Sequence, residues 1–182
     1  MKYTKTTKLN VTADEAWKVF AHDFEKGDEW MSSVYKATGI SEGTKLEGAK
    51  TIGRIVEMQP DGSGMKASET FVAYNEVAKT CSVRVDMIGA PAIFPIDHNS
   101  LDFSIVDDDA DDDGGGSGGG STATWIFGAD LKPLGYLLYP LLYVGMSAAW
   151  SQMAEEFQYF VDHQGSPHPR KVAALEKASS AN

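Results

Sequence analysis

The 182-residue chain holds a single cysteine, Cys81, and four histidines. One thiol can form neither an internal disulfide nor a cysteine-rich zinc site, so the usage fits a reducing compartment. His22, His163 and His168 lack the spacing of a metal triad, and no metal or other cofactor is expected. Positive charge is also scarce. Lys and Arg number 16 against 26 Asp and Glu, for a net charge of −10, and no basic cluster stands out. Without such a cluster to neutralise phosphates, nucleic acid is excluded as the expected partner. The opening MKYTKTTKLN has lysines but no apolar stretch behind them, so it is not read as a secretory signal, and the default location is cytoplasmic.

Apolar and aromatic residues are plentiful, at 42% and 10%, enough for one globular domain with a core of its own. Six acidic residues stand together in 107–113, followed by GGGSGGG. The segment 107–121 is therefore expected to be a solvated, disordered loop insertion. Asp108, Asp109 and Asp112 share the spacing of a magnesium-binding DDxxD motif. The chain is far too short for the all-helical fold that uses it, and the glycine tract lacks the Lys and Ser/Thr of a phosphate loop.

Alternation predicts strands over 3–11, 34–40, 50–58, 66–75, 80–88, 98–106 and 122–130. Thr12 and Glu15 have capping-box spacing and start a helix carrying Trp17, Phe20, Ala21 and Phe24 on one face. Residues 59–64 have turn composition. A symmetric hairpin about them pairs Ile52 with Phe71, Arg54 with Glu69 and Val56 with Ala67, with Ala73 continuing the inward face. The next turn sets Glu69 opposite Val85 and Phe71 opposite Val83. After Pro133 the period becomes helical: Leu142, Met146, Trp150, Met153, Phe157 and Phe160 mark one stripe running to about His163, with Pro140 either starting or kinking the helix. The stripe continues past Glu155 and Glu156, so the uncharged stretch 133–154 reads as a core helix and not a bilayer span. Residues 1–165 form the domain and 166–182 a loose, flexible polar tail.

Seven antiparallel strands and one long C-terminal helix imply an α+β protein whose sheet curls around the helix. The segments VTADEAWKVFAHDFEKGDEWMSSV, GAKTIGRIV, SETFVAYNE and STATWIFGADLKPLGYLLYPLL, in that order, resemble the helix-grip superfamily, the START, polyketide cyclase and pollen-allergen group also called SRPBCC. The resemblance covers roughly residues 5 to 163. It implies an apolar cavity between sheet and helix, and a group that includes lipid carriers, hormone receptors and aromatase/cyclases.

The expected ligand-binding set is Arg54, Glu69, Phe71, Val83, Val85, Phe103, Trp125, Phe127, Trp150 and Met153. Arg54 and Glu69 face each other on the inward surface, as a structural ion pair, as anchors for a polar ligand group, or with Glu69 as a catalytic acid or base. The aromatic and Met members read as core or as pocket lining. Trp30 and Met31 gate the opening or cover the core. Parity puts His98 outward unless a bulge intervenes, and gives Asp97 and Asn99 inward parity, which leaves an Asp97–His98 acid/base pair open. The preferred reading is binding or transport of a small hydrophobic molecule (a lipid, polyketide or isoprenoid), with transient membrane contact by Leu134 to Tyr143 during ligand exchange. The alternative is a polyketide cyclase or aromatase using the same cavity.

Overall fold

The computed structural model describes residues 1–108 and 119–180. Strand β1 (Lys2–Leu9) leads into α1 (Ala13–Trp17), which widens into a π turn over Lys18–His22 and then a 3-10 segment over Phe24–Glu29. Next come β2 (Lys36–Gly39), β3 (Gly53–Glu57), β4 (Lys66–Asn75), β5 (Thr80–Ile88), β6 (Ile96–Asp107) and β7 (Ser121–Leu131). Helices α2 (Pro133–Leu137), α3 (Tyr139–Asp162) and α4 (Pro169–Ser180) complete the chain. The strands form one antiparallel sheet in the order β1-β7-β6-β5-β4-β3-β2, which does not close on itself. Pro140 starts α3, where its missing N–H costs nothing.

Local sequence accounts for the first turn of α1. Thr12 Oγ1 accepts the Glu15 N–H at 3.3 Å and the Glu15 carboxylate accepts the Thr12 N–H at 3.0 Å, a complete capping box. The Ala13 N–H, another donor left free by the helix end, finds Asp107 Oδ1 at 2.6 Å. Trp17, Phe20, Ala21 and Phe24 are all buried against the concave face of the sheet, so the change of helical type keeps the apolar stripe facing inward.

Registers follow the alternation: Arg54 lies opposite Glu69, Val56 opposite Ala67, Glu69 opposite Val85 and Phe71 opposite Val83. Two bulges alter the rest. The register of β4 shifts between Phe71 and Ala73, so Ala73 turns outward and Tyr74 packs inward on Trp17 at 5.4 Å, which corrects the expected inward place of Ala73. A second shift, between Ile96 and His98, takes Asp97 off the inward face while Asn99 keeps it.

The loose tail expected at 166–182 is corrected by α4. Lys171 on that helix is 1% exposed and its ammonium donates to the Val34 carbonyl at 2.5 Å. Burial pushes the Lys171 ammonium below its ordinary range, and Asp28 and Glu156 oppose that shift. A lysine stem buried beneath its neighbours anchors the helix as an apolar residue would, and no hydrophobic stripe announces it. Of the 107–121 insertion, the ends are ordered by partners: Asp108 accepts from Lys8 at 3.0 Å and from Thr122 at 2.5 Å. Residues 109–118, including Asp109, Asp112 and the run from Gly114 to Gly118, lie outside the described residues.

Candidate functional site

The registers of β3 to β6 set one rung across the sheet: Arg54, Glu69, Val85 and Asn99, each opposite the next. Alternation turns all four toward the concave face. There they meet Phe20, Phe24 and Trp30 from the N-terminal helical segments, and Trp150 and Met153 from α3. Together with Val83, Ser100, Leu101 and Phe127 these residues line a partly open cavity of about 120 Å³. Phe127 and Trp150 form one wall, their rings stacked at 5.1 Å and 8°. Trp30 forms another, edge-on to Phe157 at 5.5 Å.

The polar end is built around Arg54, only 4% exposed. Its Nε donates to Glu69 Oε2 at 2.6 Å, its Nη1 to the Phe24 carbonyl at 2.5 Å and its Nη2 to Met31 Sδ at 3.4 Å. The guanidinium also lies 4.1 Å from the centre of the Phe24 ring. Each nitrogen thus makes one contact with the protein and the charge has a carboxylate partner, which is what a buried cation needs. Gly27 makes room for it, since a Cβ there would strike the guanidinium itself; at Gly53 a Cβ would strike the backbone carbonyl of Glu69 in the neighbouring strand, so glycine there permits the close strand pairing beside Arg54. Glu69 Oε1 accepts no hydrogen bond from the described residues, and the buried Asn99 Oδ1 has no protein partner among them.

Seven of the expected ligand-binding residues therefore line one cavity: Arg54, Glu69, Val83, Val85, Phe127, Trp150 and Met153. Phe71, Phe103 and Trp125 do not, because the N-terminal segment covers that part of the sheet. Phe71 packs on Phe24 at 4.4 Å, Phe103 stacks on Phe20 at 4.0 Å, and Trp125 meets Phe20 and Phe157 edge-on at 5.4 and 5.2 Å. Met31 is buried against Arg54 and is no gate. His98 sits on the outer face with its two ring nitrogens 3.3 Å from Asp97 and 3.2 Å from Asp130, away from the cavity, so the Asp97–His98 pair cannot act there. Phe20, Phe24, Trp30, Asn99, Ser100 and Leu101 are additional lining residues. Of the polar residues among these, Asn99 carries a directional signal in the sequence, its parity with Leu101 and Phe103.

Cys81 is buried, which pushes its thiol up and makes it unreactive. Among the described residues no group of three His, Cys, Asp or Glu side chains is placed to hold a metal, and no helix is long and apolar enough to cross a membrane. From Tyr136 to Val144, however, Tyr136, Leu137, Leu141 and Val144 are each more than two thirds exposed.

A second polar cluster stands at the far end of the sheet. Glu76 accepts from Trp17 Nε1 at 3.0 Å and Tyr74 OH at 2.7 Å, and lies 2.8 Å from His22 Nε2. Partial burial would raise this carboxyl, but the hydrogen bonds from Trp17, Tyr74 and His22 together outweigh it and hold the group at about 2. A depressed carboxylate stabilises the fold fully above the ordinary carboxylate range and loses that contribution as pH falls toward about 2. Glu76→Gln should therefore lower stability near neutrality and flatten the decline between about pH 4.5 and 2, read by urea unfolding at a series of pH values. Parallel profiles for the two proteins would refute the assignment. The carboxylate is 43% exposed, so water screens much of the effect.

No protein-family model matches the chain, and no curated protein sequence does. Solved structures do match, at the level of fold. A START superfamily protein from Mycobacterium smegmatis superposes with a TM-score of 0.60 at 10% identity, covering 90% of this chain and 96% of that one. The crystal structure of Ara h 8.0201 gives 0.58 at 13%, covering 88% and 97%. XoxI from Bacillus cereus gives 0.57 at 15%, covering 90% and 97%. The chain shares the helix-grip fold of these structures.

Proposed function

We propose that the chain binds a small hydrophobic molecule in the cavity between the sheet and α3. The observation that carries this reading is the cavity itself. Aromatic and aliphatic side chains wall about 120 Å³, with Arg54, Glu69 and Asn99 along one side. Apolar walls with a few convergent polar groups are what ligand sites share. The superfamily whose fold the chain shares binds hydrophobic ligands, which supports the same reading.

Volume separates the alternatives. Sites for drug-sized ligands run from roughly 300 to 1,000 Å³, whereas an engineered cavity of about 150 Å³ holds benzene. A folded polyketide or a whole lipid would need this cavity to open, and the cyclase reading has no support from the space present. A molecule of one-ring size fits it as it stands.

Toluene is the simplest probe. Calorimetric titration should show one saturable site with a Kd on the order of 0.1–1 mM, given the binding energy that a ligand of so few atoms can gain. Thermal stability should rise with toluene concentration as mass action requires. Val85→Phe, which fills the space, should retain the fold and abolish both effects. Absence of saturable binding of toluene and of other neutral one-ring probes alike to the wild type would refute the proposal.

A further inference from the structure

The polar groups around the cavity do not balance, and the imbalance selects a ligand. Among the described residues Arg54 is the one cation in the lining; its charge is paired with Glu69, and Nη1 and Nη2 each already donate to a protein acceptor, with the Phe24 ring over the guanidinium. A carboxylate or phosphate entering the cavity would find this cation already paired and would face the Glu69 carboxylate. An ammonium would find that carboxylate already neutralised, with the guanidinium beside it. Both charged classes would lose their hydration without a counter-charge in return.

Hydrogen-bonding capacity nevertheless remains. Glu69 Oε1 can only accept, and no described residue donates to it. The Asn99 carboxamide, whose buried Oδ1 has no protein partner among the described residues, can donate or accept according to which way the amide is turned. The two flank Val85 on one rung, at the edge of a space whose apolar lining includes Phe127, Trp150 and Met153. A buried acceptor left without a donor is costly, so a ligand that supplies the donor relieves the protein as well as itself. The group that can serve both residues must donate and must also be able to accept.

We infer that the cavity takes a neutral one-ring molecule bearing a hydroxyl group, a phenol in chemical class, with the hydroxyl on the Asn99 and Glu69 side and the ring against Phe127 and Trp150. This rests on the cavity being a ligand site, as proposed above, and adds its selectivity.

The test compares isomers of equal size. p-Cresol and anisole have the same atoms, but only p-cresol has a donor, and toluene serves as the apolar reference. A cavity indifferent to the hydroxyl would disfavour p-cresol, which gives up a better hydrated group. Wild type is expected to bind p-cresol at least 10-fold more tightly than anisole and to show no saturable site for benzoate or benzylamine. Asn99→Leu should lower the affinity for p-cresol relative to toluene about 10-fold. Equal affinity for the two isomers, saturable binding of benzoate or benzylamine, or a uniform loss of all three neutral probes in Asn99→Leu would overturn the inference. Should that variant fail to fold, the isomer ratio in the wild type decides alone. Failure of toluene, anisole and p-cresol alike would instead overturn the cavity as a ligand site, so the two readings fail separately.

Discussion

Arg54→Leu should cost the fold about 3–5 kcal/mol, the usual penalty for removing one partner of a buried ion pair. The side chain is 4% exposed and its partner Glu69 13% exposed, so bulk water replaces little of what is lost. The substitution strands the Glu69 carboxylate and the Phe24 carbonyl together and leaves Met31 and the Phe24 ring without the guanidinium that fills the space between them. For a domain of this size the loss corresponds to a fall in Tm on the order of 10 °C. Arg54→Lys should not rescue it, because a point charge on a flexible stem cannot reach three acceptors that the planar fork meets at once. The double variant Arg54→Leu/Glu69→Leu should recover most of the stability, since an apolar pair of similar bulk removes both desolvation penalties. Chemical denaturation of the single and double variants checks the prediction. A single-variant cost below about 1 kcal/mol would mean that the pair is hydrated and not part of a closed site. Gly27→Ala, which drives a methyl group into the guanidinium, should reproduce part of the loss without touching either charge.

That pair is legible in the sequence because two independent signals agree on it. Alternation places Arg54 and Glu69 on the apolar face, and the hairpin register sets them opposite each other, as observed. The capping box at Thr12 and the inward parity of Asn99 are readable because each is a property of a few neighbouring residues, whereas Pro140 alone leaves open whether it starts α3 or kinks it. What is not readable is long-range. Phe20 and Phe24 are visible as one face of a helix, but where that helix lies over the sheet depends on packing that no local pattern encodes. Alternation therefore groups Phe71, Phe103 and Trp125 with the cavity, although they lie beneath those rings. Bulges are equally silent. One extra residue at Val72 and another at Asp97 decide that Tyr74 turns in and Asp97 turns out. Helix α4 escapes sequence reasoning because its anchor is the stem of a lysine, in a segment whose composition reads as solvent-exposed.

Glu156 connects these long-range features, and its loss should be the second large effect. The carboxylate is 1% exposed and accepts from the Ser32 N–H at 2.9 Å, the Ser32 hydroxyl at 2.6 Å and the Gln152 amide at 2.9 Å. Two residues beyond Ser32, the Val34 carbonyl accepts from the Lys171 ammonium. The segment from Trp30 to Val34, which supplies a cavity wall and the sulfur on Arg54, is thus held by an acid from α3 and a base from α4. Glu156→Ala should cost about 2–4 kcal/mol, because hydrogen bonds to a charged group contribute about 1.5–3 kcal/mol and two partly buried donors on Ser32 lose their acceptor. It also removes one of the two carboxylates that favour the charged form of Lys171, so Glu156 and Lys171 should not be energetically independent. A double-mutant cycle with Lys171→Met is expected to give a coupling of about 1 kcal/mol or more. Locally, exchange of the Ser32 amide hydrogen should quicken by about tenfold or more relative to amides in β6 and β7, the sign that the segment opens before the sheet does. Uniform acceleration across the sheet would show that Glu156 supports global stability alone. Additive losses in the cycle would show that α4 and α3 grip the segment separately, leaving the cavity wall dependent on α3 alone.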